Sequence, residues 1–385
     1  MESTQSTIAA KKINHSYGMA LIIVTAILTC LGLLAIYAAS AMKGAEQFGD
    51  PYLFIRKQSI VACVGFVSIL FLQFIPLKLI DKLALPSLVL SLFLLALIFI
   101  PGAYLKVGGA SRWLGVSGLR FQTSELAKVA LVLFLAKNLS RYSCNVQRMG
   151  LGVISNIFIF SCFAFLMMMQ PDFGSTVLLG GITFLMLYIS GLSKKLILSS
   201  FFIALIGLAG AIAAAPYRLK RLLSFLDPWS EVSGGGFQII QSYLGFQNGG
   251  LLGVGLGESR QKLFFLPEAH TDFILSVIGE ELGLLGVSLV CGLYFLLVWL
   301  GFKIAAKQKN MFYSLIGYGF TCLIGLQSAL NMGVVMGILP TKGIPLPFVS
   351  HGSSSLIVFL TIIGILARLD RAGTLKGANS PHVFV

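Results

Sequence analysis

Charged residues are scarce in this chain of 385 residues, and acidic residues are the scarcest of them. Charged side chains make up 11% of the sequence and hydrophobic ones 57%, with 14 Asp and Glu against 28 Lys and Arg. So few polar groups cannot cover the surface of a water-soluble globule. The composition therefore excludes a soluble enzyme or binding module and predicts an integral membrane protein.

Cysteines are also few, and their spacing carries no metal or disulfide pattern. Five of the six lie inside apolar runs, and the sixth, Cys144, lies in a predicted loop. We interpret them as small core residues, with no disulfide framework. The chain also lacks a polar linker between soluble segments, so we expect one integral membrane domain over residues 1–385.

Long apolar runs are abundant instead. A helix that crosses a bilayer needs about 20 mostly apolar residues. Ten such runs occur, near residues 18–39, 57–75, 84–101, 124–138, 152–170, 175–191, 196–215, 273–302, 311–336 and 352–368. The predicted fold class is all-α, a polytopic helical bundle with about ten transmembrane helices.

The basic residues predict the orientation of this bundle. They are concentrated in every second connection between the apolar runs, in the set that includes both termini. Examples are the pairs Lys11-Lys12 and Lys194-Lys195. Positive residues favour the cytoplasmic side, so both termini are predicted to be cytoplasmic. The net charge of +14 is then mainly a topology signal and does not indicate a nucleic-acid partner.

Four polar segments fall on the opposite, outer side of the predicted bundle. They are residues 106–124, 170–175, 216–271 and 339–355. The segment 216–271 is a large loop, rich in glycine, in which residues 237–244 have the pattern of a short amphipathic helix. We expect a functional site assembled from these loops on one face of the membrane.

The same segments carry a set of motifs. These are Arg112-Trp113, Gln122-Thr123-Ser124-Glu125-Leu126-Ala127-Lys128, Gln170-Pro171-Asp172-Phe173-Gly174, the run Leu266 to Phe273, and Pro340-Thr341-Lys342-Gly343 leading to Leu346-Pro347-Phe348-Val349-Ser350. In this order they resemble the SEDS family (shape, elongation, division and sporulation). The segments 255–262 and 278–283 are more similar to the division members, FtsW, than to the elongation members, RodA. Thr123, His351 and Ser353 depart from the family pattern.

The resemblance implies a function. SEDS proteins are peptidoglycan glycosyltransferases that polymerise lipid II at the outer face of the bacterial cytoplasmic (inner) membrane, here for septal synthesis in cell division. The expected partners are lipid II, a class B penicillin-binding protein and other membrane proteins of the division or elongation machinery. No organic cofactor is implied, and a divalent cation, Mg²⁺ or Mn²⁺, held by Glu268 or Asp272 is left open.

The resemblance also implies roles for particular residues. Asp272 is the candidate base, Glu268 and Lys342 complete the catalytic set, and His270 could share proton traffic. From the pattern of residues, Asp272 or Thr271 could equally be the N-cap of the helix that follows. The residues expected to bind substrate or pyrophosphate are Arg112, Arg218, Lys220, Arg221, Arg260, Lys262, His270 and Ser350. The alternative for these cations is contact with anionic lipid headgroups.

Several other polar residues have structural interpretations. Glu125 and Lys128 are spaced to pair with each other at a helix start. Asp172 is placed to cap the run from Gly174. Glu280 and Glu281 lie inside an apolar run, where charge normally faces the interior of a bundle.

Two other function classes compete with the enzyme. A lipid II flippase has a comparable topology, but a transporter should expose central polar groups to both sides in turn, whereas these motifs gather on one side. An inactive scaffold that recruits a transpeptidase is the third class, and the intact Asp272, Glu268 and Lys342 argue against it.

Overall fold

The computed structural model describes residues 16–100, 104–107, 110–116, 119–142, 149–191, 216–232, 236–259 and 270–377, with a few isolated positions between 199 and 210. These residues form eleven α-helices and three β-strands. The helices are α1 (Ser16–Phe48), α2 (Leu53–Leu72), α3 (Leu77–Leu97), α4 (Thr123–Tyr142), α5 (Met149–Met169), α6 (Phe173–Ile189), α7 (Pro216–Leu226), α8 (Phe237–Gly249), α9 (Ile274–Ala306), α10 (Met311–Val335) and α11 (Ser353–Gly377). The strands are β1 (Tyr104–Val107), β2 (Ala110–Val116) and β3 (Leu119–Gln122).

The predicted helical membrane bundle is confirmed. Nine of the ten apolar runs coincide with helices, and the run at 196–215 lies outside the described residues apart from isolated positions. Within the described part of the chain, seven helices are long and apolar enough to cross a membrane. The protein is therefore a multi-pass membrane protein.

Helix α4 is not one of those seven, and its position in the bundle explains why. It carries charged residues, yet Leu131, Val132 and Leu135 are almost completely buried. The helix packs against α3, α5, α6, α10 and α11. Because protein rather than lipid surrounds it, α4 can hold charges that a lipid-facing helix could not.

A small antiparallel sheet is the element that the sequence analysis missed. The strands are ordered β1-β2-β3, with Leu105 opposite Trp113 and Trp113 opposite Gln122. A β-bulge lies between Leu105 and Lys106. The sequence carries a signal for this sheet. A pair of residues that contains glycine separates β1 from β2 and another separates β2 from β3, and such pairs are typical of β-hairpins.

Contacts between the ends of the helices gather the end of α3, the sheet and the starts of α4, α6, α9 and α11 at one end of the bundle. We call this the Asp272 end. The predicted amphipathic helix is confirmed as α8, which packs on α9 and is longer than expected, ending at Gly249. The helix α7 and a 3-10 turn at Pro228–Glu231 precede it.

Candidate active site

The polar segments predicted to lie on one side meet at the Asp272 end. The backbone N–H of His351 donates to the carbonyl of His270 at 3.0 Å. The hydroxyl of Ser354 accepts from the N–H of Gln122 at 3.1 Å, which joins the start of α11 to β3. Arg112 in β2 reaches the 170–172 turn. These contacts place the sheet, the α5–α6 turn and the loops before α9 and α11 in one assembly.

Asp272 lies at the centre of this assembly and is half-buried. The N-cap of α9 is Phe273, which has no side-chain capping bond. Asp272 therefore precedes the cap position, and the capping alternative for this residue is wrong. A Cβ added to Gly343 would lie 3.1 Å from the Oδ2 of Asp272. The carboxylate thus faces the backbone of the turn that carries Lys342.

Two amide side chains of α10 hold this turn in place. Asn331 Nδ2 donates to the carbonyls of Asp272 and Ile344, each at 2.8 Å. Gln327 Nε2 donates to the carbonyl of Pro345 at 2.9 Å. Both side chains are buried, and they are four residues apart on one face of α10. The sequence analysis did not select them, although amides inside an apolar run are the signal that could have found them.

Lys342 extends from the same turn toward α6. Its Nζ lies 4.9 Å from the centre of the Phe173 ring, within range of a cation–π contact. Burial lowers the pKa of Lys342 below its usual value, because a desolvated ammonium loses the hydration that favours the charged form. The side chain is a cation held partly out of water, in the turn whose Gly343 faces the Asp272 carboxylate.

Arg112 uses its guanidinium to hold the turn between α5 and α6. Its Nε donates to the carbonyl of Gln170 at 3.2 Å, its Nη2 donates to the carbonyl of Pro171, and its Nη1 lies 3.8 Å from Asp172 Oδ1. Asp172 is the N-cap of α6, and its side chain accepts from Ser175 N at 3.3 Å, which confirms the predicted cap. The predicted contact of Arg112 with pyrophosphate stays a prediction, since much of its donor capacity serves the turn.

His270 lies among aromatic rings under the site. Its ring is 5.2 Å from that of Phe54 and 5.6 Å from that of His351. Burial lowers the pKa of His270 to about 3, with further contributions from His351 and Lys43. The imidazole is therefore neutral near pH 7.

Ser350 is buried and closes the loop before α11. Its Oγ accepts from Leu346 N at 2.9 Å, and its carbonyl accepts from Gln58 Nε2 at 3.3 Å. Gln58, in α2, is a third buried amide, after Asn331 and Gln327, that was not predicted from the sequence. The hydroxyl of Ser350 thus stabilises the loop, and its contact with substrate stays a prediction.

The six remaining predicted residues lie either in helix α7 or outside the described part of the structure. Lys220 and Arg221 are exposed on α7. Arg218 belongs to the same helix, and its side chain is outside the described part of the structure, as are Glu268, Arg260 and Lys262. The roles predicted for these six residues stay predictions.

The predicted pair of Glu125 and Lys128 is confirmed. Lys128 Nζ lies 2.7 Å from Glu125 Oε2 and donates to Gln327 Oε1 at 2.8 Å, and both charged side chains are 2% exposed. Since Gln327 also bonds Pro345, the pair connects α4 to the turn beside Asp272. Its role is structural.

Metal binding at Asp272 has little support from the described residues. They contain no cluster of three or more His, Cys, Asp or Glu that could hold an ion. Mg²⁺ prefers about six oxygen ligands. The turn that Asp272 faces at Gly343 carries a cation, Lys342, rather than a further oxygen ligand. A divalent ion here would depend on residues such as Glu268, outside the described part of the chain.

These residues together offer one kind of chemistry. A half-buried carboxylate can take a proton, and a partly desolvated lysine on the turn that it faces can stabilise a developing negative charge. The Asp272 carboxylate and the Lys342 ammonium suit a reaction in which a hydroxyl displaces an anionic leaving group.

A family model for cell cycle proteins, labelled by FtsW, RodA and SpoVE, matches residues 19–374. The probable peptidoglycan glycosyltransferase FtsW of Geobacter sp. strain M18 is 39% identical over 364 residues, 94% of this chain and 99% of the relative. The stage V sporulation protein E of Bacillus subtilis is 37% identical over 352 residues, 91% of this chain and 96% of the relative.

Solved structures match the fold as well. A chain from a peptidoglycan synthase complex that coordinates polymerization and crosslinking has a TM-score of 0.77 at 29% identity, covering 92% of this chain and 98% of that one. The rod shape determining protein RodA of Thermus thermophilus has a TM-score of 0.67 at 26% identity, covering 91% and 96%.

Proposed function

The chain belongs to the cell cycle protein family of FtsW, RodA and SpoVE, and from this membership we propose that it is a peptidoglycan glycosyltransferase that polymerises lipid II into glycan strands for septal synthesis. The single observation that carries the chemistry is the place of Asp272. Its carboxylate faces the Lys342-Gly343 turn and does not occupy the N-cap of α9.

The proposed reaction is one displacement at a sugar carbon. A hydroxyl oxygen of the acceptor attacks the anomeric carbon of the donor, and the bond from that carbon to the polyprenyl pyrophosphate breaks. Asp272 takes the proton of the hydroxyl, while the electron pair of the broken bond leaves on the pyrophosphate oxygen. A single displacement of this kind inverts the anomeric configuration.

Lys342 is proposed to meet the negative charge of the leaving pyrophosphate. Its partial burial favours this role, because an interaction between opposite charges is stronger where water is excluded. Arg112 contributes mainly by fixing the α5–α6 turn, from which Phe173 contacts Lys342.

The surroundings of the enzyme are part of the proposal. We infer a position in the bacterial cytoplasmic membrane, with both termini in the cytoplasm and the Asp272 end outside, from the distribution of basic residues. A class B penicillin-binding protein is the proposed partner for crosslinking, supported by the similarity to a chain from a peptidoglycan synthase complex.

A divalent cation, Mg²⁺ or Mn²⁺, is a separate proposal, with Asp272 and Glu268 as the candidate ligands. When bound, it would help to neutralise pyrophosphate. Chelation by EDTA should then abolish polymerisation, and added Mg²⁺ or Mn²⁺ should restore it. Undiminished activity in EDTA would remove the metal from the proposal and leave the base intact.

The decisive experiment is polymerisation of purified lipid II by the reconstituted protein, alone and with a class B penicillin-binding protein. Asp272→Asn keeps the size of the side chain but cannot accept the proton, so glycan synthesis should be abolished with normal membrane insertion. Asp50→Asn, at the end of the bundle that also holds Asp272, is the matched control and should remain active. Glycan made by the Asp272→Asn protein would refute the base assignment.

A further inference from the structure

The loop that follows α8 docks on a break in α9. Gly283 has φ +65° and ψ −162° inside α9, which interrupts the helix. Such a break would leave the helical pairs 280–284 and 281–285 without their normal hydrogen bonds. The loop at residues 250–257, which we call the glycine loop, bonds to all four of these residues.

The bonds between the loop and the helix are backbone to backbone. Leu284 N donates to Gly250 O at 2.9 Å and Leu285 N donates to Leu251 O at 3.3 Å. In return, the carbonyls of residues 280 and 281 accept from the N–H groups of residues 254 and 255 at 3.0 and 3.1 Å. Four polar backbone groups of the loop are thereby paired with protein rather than with water.

Glycine at two positions makes this docking possible. Gly253 has φ +82°, and a Cβ there would collide with the backbone of Glu281 and Leu282. A Cβ on Gly283 would collide with the backbone of Gly253 and Leu251. The two backbones therefore approach more closely than any side chain would allow.

The apolar side chains of the loop face away from the protein. Leu251, Leu252, Val254 and Leu256 are 69%, 77%, 43% and 69% exposed. They continue the exposed face of α9, where Leu284 and Leu285 are 55% and 63% exposed. Four exposed apolar side chains within six residues would form a costly patch in water.

The depth of this patch follows from the length of α9. Trp299 is partly exposed and Lys303 Nζ lies 5.5 Å from its ring centre, a pair typical of a membrane interface. A hydrocarbon core of about 30 Å spans about 20 helical residues, which reach back from Trp299 to about Gly279. Leu284 and Leu285 then lie roughly 7 Å inside the core.

We propose that the glycine loop is re-entrant: it dips into the leaflet at the Asp272 end, with Leu251 and Leu252 in contact with lipid acyl chains. Non-helical backbone is tolerated at this depth only where protein satisfies its polar groups, and α9 pairs with groups of residues 250, 251, 254 and 255. Helix α8 leads into the membrane in this arrangement. Ser276 Oγ donates to Ser242 O near the start of α9, and the bonds between the glycine loop and residues 280–285 lie farther along α9, deeper in the membrane.

Spin labels test this placement in reconstituted protein without any partner. A label at Leu252→Cys, in a background free of native cysteine, should collide with oxygen and be shielded from a water-soluble nickel chelate. Phe295→Cys on the lipid-facing side of α9 and Gln47→Cys, exposed at the Asp272 end, are the lipid and water controls.

The Leu252 label should match the Phe295 label, with nickel accessibility about tenfold below that of Gln47, because a charged or strongly polar solute is excluded from hydrocarbon. Nickel accessibility equal to that of Gln47 would place the loop in water and overturn the proposal. Low accessibility to both reagents would also overturn it, because protein would then cover the loop. Leu251→Cys provides a second position if Leu252→Cys does not fold.

Discussion

Asn331 donates a hydrogen bond of 2.8 Å to the backbone carbonyl of Asp272, although the two residues are 59 positions apart in the sequence. The same amide donates to Ile344 at 2.8 Å. One side chain of α10 therefore joins the loop that carries the proposed base to the turn that carries Lys342. These two hydrogen bonds fix the Asp272 backbone relative to that turn.

Asn331→Leu should reduce polymerisation about 100-fold, since a small displacement of a catalytic group is enough for such a loss. The cost in unfolding free energy should be about 1–3 kcal/mol for each of the two carbonyls left without a partner. Asn138→Leu is the matched control, because Asn138 bonds Ser155 and Asn156 within the bundle, away from Asp272. Equal activities of the two variants, measured with lipid II, would contradict a positioning role for Asn331.

Gly343→Ala tests the approach of the carboxylate to the turn. The new Cβ would lie 3.1 Å from Asp272 Oδ2, so one of the two must shift, and we expect turnover to fall about tenfold. At Gly352, a Cβ would have its nearest contact at 3.6 Å, with Ser355 Cβ. Gly352→Ala should therefore retain activity, and the initial rates of the two variants measure the difference.

Lys342→Gln removes the cation without a large change in size. If the ammonium stabilises the leaving pyrophosphate, turnover should fall about 10- to 100-fold, while membrane insertion is normal. Lys57→Gln, at an exposed lysine of the same end, is the control. Unchanged turnover in Lys342→Gln would contradict a catalytic role for this ammonium.

The buried pair of Glu125 and Lys128 should dominate the stability of α4. Lys128→Met leaves a buried carboxylate without its cation, which should cost about 3–5 kcal/mol of unfolding free energy. The double variant Glu125→Gln with Lys128→Met removes both charges and should recover most of this loss. Thermal unfolding in detergent measures both variants, and additive losses would contradict the pairing.

His270 predicts a dependence of stability on pH. Its pKa is about 6.5 in an unfolded chain and about 3 in the folded protein, so the folded state favours the neutral imidazole. Its contribution is fully present above about pH 6.5 and is lost as the pH falls toward 3. His270→Asn should therefore show a smaller drop in melting temperature between pH 7 and 4 than the unchanged protein. Parallel curves would contradict the burial of a neutral histidine.

The sequence by itself determined the membrane bundle and the family. Apolar runs of about 20 residues have one stable solution in a bilayer, a helix that satisfies its own backbone. The cap at Asp172 and the pair of Glu125 and Lys128 were also predictable, because both depend on residues three apart in one helix.

Only the tertiary structure decided which groups surround Asp272. The contacts of Asp272 with Asn331 and Gly343 join segments distant in the sequence, as does the contact of Lys342 with Phe173, and no local pattern specifies them. The burial of charged side chains is also decided by the tertiary structure. Helix α4 tolerates its charges because five other helices enclose it. The glycine loop docks where Gly283 breaks α9. Such a break leaves backbone groups of α9 unpaired, and in an apolar surrounding these groups must find partners elsewhere in the fold.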